Sequence, residues 1–288
     1  MVLRVLSPRH LTKDKKSVNI RRKITAASLL VAVFVLFSVF VGSSKSTAQS
    51  SGDWGVDSFT ADYYINPDAD GSMDIDETIE VHFNIQKHGI YRNIPSNYDG
   101  GVFNPGTSLN TKLKSITDGQ SGAPLLYEQD KSSGYLNLTI GDPGIYIIGD
   151  HVYKVSYSVD NAVRFFDNHD ELYWDVNGTD WQVSMGAVSA RIFVPEGLQS
   201  KVTDLKCFTG GQGSKASDCV ISYDVTSGTV KVSADRPLSN YENLSYVVAF
   251  EKGSFTPPSI WDKWGGKNPP HLSQIDGGVN EPFSKATT

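Results

Sequence analysis

The chain has 288 residues, a formal net charge of −6 and two cysteines, which allows one large domain or two small ones. The acidic balance argues against a nucleic-acid partner, and the sequence has no GxSxG, HExxH, Walker A or GxGxxG pattern. The six histidines are scattered along the chain rather than placed at metal-ligand spacing. Composition and motifs therefore exclude a nucleic-acid-binding protein and the common catalytic classes.

The N-terminus shows a strong charge asymmetry. Residues 1–23 hold eight Lys or Arg and one acid, a net charge of +7, so the rest of the chain carries −13. Residues 24–41 follow with no charged side chain, and as a helix they would span about 27 Å of the roughly 30 Å hydrocarbon layer. Since Lys and Arg stay on the cytoplasmic side, the pattern predicts a cytoplasmic segment at 1–23 and export of the remaining chain.

Residues 24–42 have two interpretations. Ser46 and Ala48 are small residues of the kind that signal peptidase prefers, but the apolar run is longer than the roughly 7–15 residues of a cleavable signal. The segment is therefore either a single-pass anchor that holds an extracytoplasmic domain or a signal peptide whose removal gives a secreted protein. In both cases residues 24–42 have the membrane as their partner.

After a linker at 43–55, apolar and polar residues alternate with a period of two, which is typical of strands with one buried face. In the clearest run, one face carries Met73, Ile75, Ile79, Val81 and Phe83. Turn sequences such as Asn177-Gly178 separate similar runs. With 13 Tyr, 13 Phe and 5 Trp to fill a core, residues 56–252 are expected to form an all-β antiparallel β-sandwich, immunoglobulin-like or related, rather than a barrel.

The two cysteines, Cys207 and Cys219, bracket a Gly-rich stretch. An exported domain meets an oxidising environment, so we predict a disulfide that staples a β-hairpin and contributes about 3 kcal/mol in the chain-entropy model. Two free thiols are the alternative.

The C-terminal residues 253–288 are rich in Pro and Gly and are expected to form a disordered tail. Trp261 and Trp264 stand out in this polar stretch. They are expected to dock on the sandwich, to touch a membrane surface or to meet a partner.

Four segments resemble one known family. They are the acidic hairpin DADGSMDIDETIEVHF, the turn HGIYRNIP, the stretch VYKVSYSVDNAVRFFDNHDELYWDVNGTDW and the strand ARIFVP. Over about residues 58–250 the chain resembles the N-terminal extracytoplasmic domain of the predicted bacterial membrane proteins called domain of unknown function 2207. The family has no established reaction, so the resemblance implies no catalytic residue. Its members usually continue into further membrane helices, whereas nothing after Phe250 is apolar for long enough to span a bilayer.

The HGIYRNIP turn places three candidate binding residues together: His88, Tyr91 and Arg92. Arg92 offers a planar fork that fits a carboxylate or phosphate of a ligand. The alternative is an internal ion pair between Arg92 and one of the acids Asp170, Glu171 or Asp175, which would hold two turns together.

The ELYWDVNGTDW segment interleaves acids with aromatic residues. Its candidates are Glu171, Trp174, Asp175 and Trp181. Two carboxylates beside aromatic rings are typical of glycosidase and sugar-binding sites. The alternative is a core Trp that packs between sheets, with the acids in the adjoining turn.

The acidic hairpin has the spacing of a calcium loop, with oxygen ligands at Asn66, Asp68, Asp70, Asp74 and Glu77. The flanking sequences alternate as strands, however, and do not form the helices of an EF-hand. An acidic β-turn with solvated carboxylates is therefore the alternative.

Together these patterns favour a non-enzymatic, membrane-associated extracytoplasmic β-sandwich that binds an envelope protein or glycan through the HGIYRNIP and ELYWDVNGTDW turns. The alternative is a calcium- or carbohydrate-linked cell-envelope enzyme that uses the acidic and aromatic clusters. No cofactor is expected apart from calcium in the second hypothesis, and no nucleic acid is expected as a partner.

Overall fold

The computed structural model describes residues 52–66, 71–98 and 107–257. Several sequence predictions lie outside these residues: the segments 1–23 and 24–42, most of the linker, Asp68, Asp70, Trp261 and Trp264. Across the three described ranges, no helix is long and apolar enough to cross a membrane.

The described chain is almost entirely β-structure, which confirms the predicted all-β class. Its strands are β1 (Trp54–Asn66), β2 (Ser72–Lys87), β3 (Gly89–Pro95), β4 (Asn97–Tyr98), β5 (Thr107–Ser108), β6 (Lys112–Asp118), β7 (Tyr127–Ser132), β8 (Tyr135–Gly141), β9 (Ile147–Val159), β10 (Val163–Phe165), β11 (His169–Asp175), β12 (Met185–Phe193), β13 (Val202–Gly210), β14 (Cys219–Asp224), β15 (Thr229–Ala234) and β16 (Asn243–Glu251). A short 3-10 turn, Gln199–Lys201, precedes β13.

The strands form open sheets. The largest has the order β14-β15-β12-β1-β2-β9-β6, a second has the order β10-β11-β16-β13, a third has the order β3-β8-β7, and β4 pairs with β5. The predicted antiparallel arrangement needs one correction, because β1 and β12 pair in parallel from Val56 with Met185 to Tyr64 with Phe193. Hairpins produce antiparallel neighbours, whereas β1 and β12 are joined by a long excursion through other strands, which lets the chain return in the same direction.

One hydrophobic core joins the inner faces of the three larger sheets. In β2 the predicted alternation holds, since Met73, Ile75, Ile79, Val81 and Phe83 are all buried. Each large side chain of this kind contributes about 1.5–3 kcal/mol when it leaves water. The core also includes Phe255, whose ring centroid lies 5.1 Å from that of Phe250. The folded region therefore begins at β1, before residue 56, and continues past residue 252.

The predicted disulfide between Cys207 and Cys219 is present, with a Cα–Cα distance of 6.2 Å. The predicted hairpin is short, because β13 and the segment before β14 meet in one antiparallel bridge, Thr209 with Ala216, and then diverge. Cys207 lies in β13, which pairs with β16, whereas Cys219 lies in β14, which pairs with β15. The disulfide therefore joins the four-stranded sheet to the seven-stranded sheet.

Candidate functional site

Arg92 lies inside the protein, with 3% of its surface exposed. Its Nε and Nη2 donate to both carboxylate oxygens of Glu77, at 2.9 and 2.6 Å. Its Nη1 donates to the carbonyl oxygens of Asn93 and Asn177, at 2.8 and 3.0 Å. The ring of Phe59 lies 5.3 Å from the guanidinium carbon. The guanidinium is thus surrounded by protein partners.

This arrangement corrects the prediction that Arg92 binds a ligand. The alternative of an internal ion pair is right in kind, but the acid is Glu77, and the expected partners Asp170, Glu171 and Asp175 make other contacts. Burial alone would lower the pKa of Arg92, but the Glu77 carboxylate raises it above its ordinary value. The Arg92 guanidinium is therefore charged inside the core.

The Arg92–Glu77 pair connects the three larger sheets. Glu77 lies in β2, Arg92 lies in β3, and Asn177 follows β11. The Tyr157 hydroxyl donates to Glu77 at 2.7 Å, and burial raises the pKa of Tyr157 well above its ordinary value. Trp181 Nε1 donates to the same Asn177 carbonyl at 2.8 Å. The HGIYRNIP and ELYWDVNGTDW segments are therefore joined through Arg92, as part of the core.

Both tryptophan candidates of ELYWDVNGTDW are core residues, so their prediction as surface binding groups is corrected. Trp174 is 1% exposed and Trp181 is 6% exposed. Trp174 packs edge-on against Tyr63, and Trp181 packs edge-on against Phe59, with centroid distances of 6.4 and 6.2 Å. Their large apolar area drives them into the space between sheets, as the core-Trp alternative stated.

The acidic candidates lie on the outer face of the four-stranded sheet. Asp175 is half-buried and accepts hydrogen bonds from the hydroxyls of Tyr173 and Ser245, both at 2.7 Å. Glu171 is buried, and one of its carboxylate oxygens lies 3.6 Å from His169 Nε2. The other, Oε1, has no hydrogen-bond partner within the described ranges. Neither acid is paired with the other for catalysis in the way that a glycosidase requires.

Among the predicted calcium ligands that the structure describes, Asp74 and Glu77 point away from each other. Side chains three positions apart on a strand point to opposite faces, so Asp74 is exposed and bonded to Lys114 at 2.6 Å while Glu77 faces the core. Asn66 lies at the end of β1, paired with Ser72. Asp74 and Glu77 therefore cannot bind one ion in this fold.

We expect millimolar calcium to leave the melting temperature of the purified protein unchanged, because Glu77 is held by Arg92 and Asp74 by Lys114. Calorimetry with calcium and with a chelator tests this. A calcium-dependent rise of several degrees that Asp74→Asn abolishes would restore the calcium loop.

His88 and Tyr91 are exposed and lie at the end of the domain where Lys87 pairs with Ile147 and Gly89 pairs with Gly141. We call the exposed residues at this end the aromatic tip: Ile85, His88, Tyr91, Ile145, Tyr146 and Ile148. His88 Nδ1 lies 2.9 Å from the carbonyl oxygen of Ile145, and its ring centroid lies 4.2 Å from that of Tyr146. Tyr91 and Tyr146 are 74% and 63% exposed, and Ile145 and Ile148 are more than half exposed. Residues 143–148 contain no charged side chain.

The aromatic tip lies at the end of the domain where the chain enters β1. The carbonyl oxygen of Asp53 accepts hydrogen bonds from the backbone N–H groups of Asn84 and Ile85. In the same region Phe83 of β2 pairs with both Trp54 and Gly149. The N-terminal end of the described domain therefore adjoins the tip.

The sequence model of a family described as "Predicted membrane protein (DUF2207) N-terminal domain" matches residues 55–250. The chain belongs to this family. No curated protein matches it. Solved structures similar to this DUF2207 domain include native yeast LTA4 hydrolase, at 8% identity and a TM-score of 0.43, with 69% of this chain and 29% of that chain covered. An M1 zinc metallopeptidase from Deinococcus radiodurans is 7% identical with a TM-score of 0.38, with 68% of this chain and 43% of that chain covered. The chain thus spans less than half of either structure.

One cluster in the DUF2207 domain escaped the sequence reasoning. Asp57, His82 and Asp150 meet on the outer face of the seven-stranded sheet. The histidines show no metal-ligand spacing in the sequence, whereas strand pairing places His82 directly opposite Asp150. The two residues are 68 positions apart, so no local spacing could have indicated the cluster.

Proposed function

We propose that this DUF2207 domain is a non-enzymatic, extracytoplasmic domain that is held at the cell membrane by residues 24–42 and lies on the outer lipid–water interface through the aromatic tip. The observation that carries the proposal is the tip itself: exposed Tyr and Ile side chains gathered at one end of an otherwise acidic protein. Exposed apolar surface of this kind marks an interaction site.

The composition of the tip favours a lipid interface. Tyrosine has an apolar ring and a polar hydroxyl, so it is enriched where hydrocarbon meets water. Ile145 and Tyr146 lie in the loop after Asp142, Ile148 lies at the start of β9, and residues 143–148 carry no charge. The Asp142 carboxylate accepts a hydrogen bond from the backbone N–H of Gly144 at 2.8 Å. The loop can therefore enter the headgroup region without burying a free charge.

The chain outside the described residues supplies a tether. Residues 42–51 separate the apolar run from the domain, and ten residues reach at most about 35 Å when extended. Because the domain is entered beside Ile85, such a tether keeps the tip within reach of the bilayer. Tethering makes the contact intramolecular, so a weak affinity of the tip for lipid is sufficient.

Charge favours an apolar mode of binding over an electrostatic one. The part of the chain after residue 23 carries a net charge of −13. Lys87, the cation beside the tip, lies 3.8 Å from Asp53. Anionic lipids would therefore repel the domain more than they attract it, and insertion of Ile and Tyr side chains has to supply the free energy.

Photo-cross-linking in cells tests this proposal and separates lipid from other partners. A photoactivatable residue replaces Tyr146 in the full chain, and a matched control carries it in place of Val225. Val225 is 55% exposed and lies in the turn after β14, at the end of the domain opposite the tip.

We expect lipid adducts at position 146 and few at position 225. Protein or glycan adducts at position 146 would overturn the lipid interface and favour an envelope partner at the same surface. Equal labelling of both positions would show that the tip has no special partner.

A further inference from the structure

Three side chains with metal-binding atoms converge on the outer face of the seven-stranded sheet. Asp57 lies in β1, His82 in β2 and Asp150 in β9, and their ligand atoms all lie within 4.8 Å of one another. His82 and Asp150 are direct partners across β2 and β9, and His82 Nδ1 contacts the Asp150 carboxylate. Asp57 approaches from β1, the neighbour of β2 on the other side. The cluster therefore links three adjacent strands.

A β-bulge aims Asp57 at this cluster. The register between β1 and β2 shifts between Val56 and Ser58, so Asp57 is the extra residue. Bulges redirect a side chain at the expense of regular pairing. Gly186 of β12 makes room for the bulge, because a Cβ at this position would lie 2.6 Å from the carbonyl oxygen of Asp57. The local backbone of two strands is thus adapted to place one carboxylate.

The electrostatics of the cluster favour a cation. Two carboxylates that share one imidazole at such distances repel each other, and a divalent ion between them would relieve the repulsion.

We infer that Asp57, His82 and Asp150 form a binding site for a divalent transition-metal ion, for which Zn²⁺ has the best-matched chemistry. One imidazole nitrogen and two carboxylate oxygens form a mixed donor set that zinc accepts, whereas calcium and magnesium take oxygen ligands. The Asp150 side chain is 76% exposed, so solvent can complete the coordination. A bound ion would cross-link β1, β2 and β9.

Isothermal titration calorimetry tests the inference. The full chain is purified in detergent, stripped of metals and titrated with Zn²⁺. We expect one Zn²⁺ to bind through the cluster, with an affinity at least tenfold weaker in His82→Ala and in Asp150→Asn. Loss of a residue that only hydrogen-bonds a metal ligand already lowers metal affinity by about tenfold or more, so loss of a ligand should lower it at least as much. His151→Ala is the matched control. His151 is the next residue after Asp150, but its ring packs on Phe83 and its Nε2 faces the Ile148 carbonyl.

Thermal unfolding supplies a second readout. Zn²⁺ is expected to raise the melting temperature of the wild type and of His151→Ala, but not of His82→Ala. If the wild-type protein binds no zinc, the cluster is a surface ion pair and the inference is wrong. Zinc binding that persists unchanged in both His82→Ala and Asp150→Asn would place the ion elsewhere and also overturn it. Should His82→Ala unfold, the exposed Asp150→Asn variant decides the outcome alone.

Discussion

Arg92→Ala is expected to lower the free energy of unfolding by about 3–5 kcal/mol, because it leaves the Glu77 carboxylate buried without its cation. The side chains of Arg92 and Glu77 are 2% and 0% exposed, so the lost bonds are not replaced by bonds to bulk water. The carbonyl oxygens of Asn93 and Asn177 lose a donor at the same time. Chemical denaturation of the wild type and the variant measures the difference.

Arg191→Ala is the matched control for this prediction. Arg191 also donates through two nitrogens, Nε and Nη2, to both carboxylate oxygens of Asp62. Its side chain, however, is 56% exposed. Exposed pairs of this kind contribute at most about 1 kcal/mol. A similar small loss in both variants would contradict the interior role of Arg92. Conversely, Arg92→Met combined with Glu77→Leu should regain much of the lost stability, because no charge is then stranded.

Loss of the Cys207–Cys219 disulfide is expected to cost about 3 kcal/mol of stability, because the unfolded chain gains the freedom that the bond removes. The bond ties β13 to β14, which lie in different sheets, next to the Thr209–Ala216 bridge that remains when the bond is lost. Thermal unfolding of the wild type should shift to lower temperature on reduction. Cys207→Ala combined with Cys219→Ala should match the reduced wild type and should not respond to reductant.

Two results together would contradict this expectation: a wild-type melting temperature that reductant does not change, and a double variant as stable as the wild type. They would show that hydrogen bonds and packing alone hold β13 and β14 in place. Non-reducing electrophoresis of the wild type provides the control that the disulfide is formed in the sample.

The sequence carries local signals for much of the interior. In β2 the acid Glu77 occupies the apolar register between Ile75 and Ile79, and in β3 Arg92 occupies the same register between Ile90 and Ile94. Charged residues at inward positions predict buried partners, since an unpaired buried charge is costly. Alternation alone therefore indicates that both side chains face inward, although the calcium spacing at Glu77 and the interpretation of HGIYRNIP as a binding turn suggested otherwise.

The sequence does not predict which distant strands pair with each other. The parallel pairing of β1 with β12 and the two-sheet disulfide depend on where distant strands settle in the sheet. The same holds for His82 and Asp150, which meet because β2 and β9 pair in one particular register. Alternation places His82 on the outer face of β2, but a shift of β9 by two residues would keep every side chain on its face and give His82 another partner.

Fluorescence quenching in reconstituted liposomes measures whether the aromatic tip contacts the lipid–water interface. A fluorophore is attached to Tyr146→Cys in one sample and to Val225→Cys in another, since both native cysteines are bonded to each other. We expect strong quenching by spin-labelled lipids at position 146 and weak quenching at position 225. Equal quenching at the two positions, or none at position 146, would contradict it.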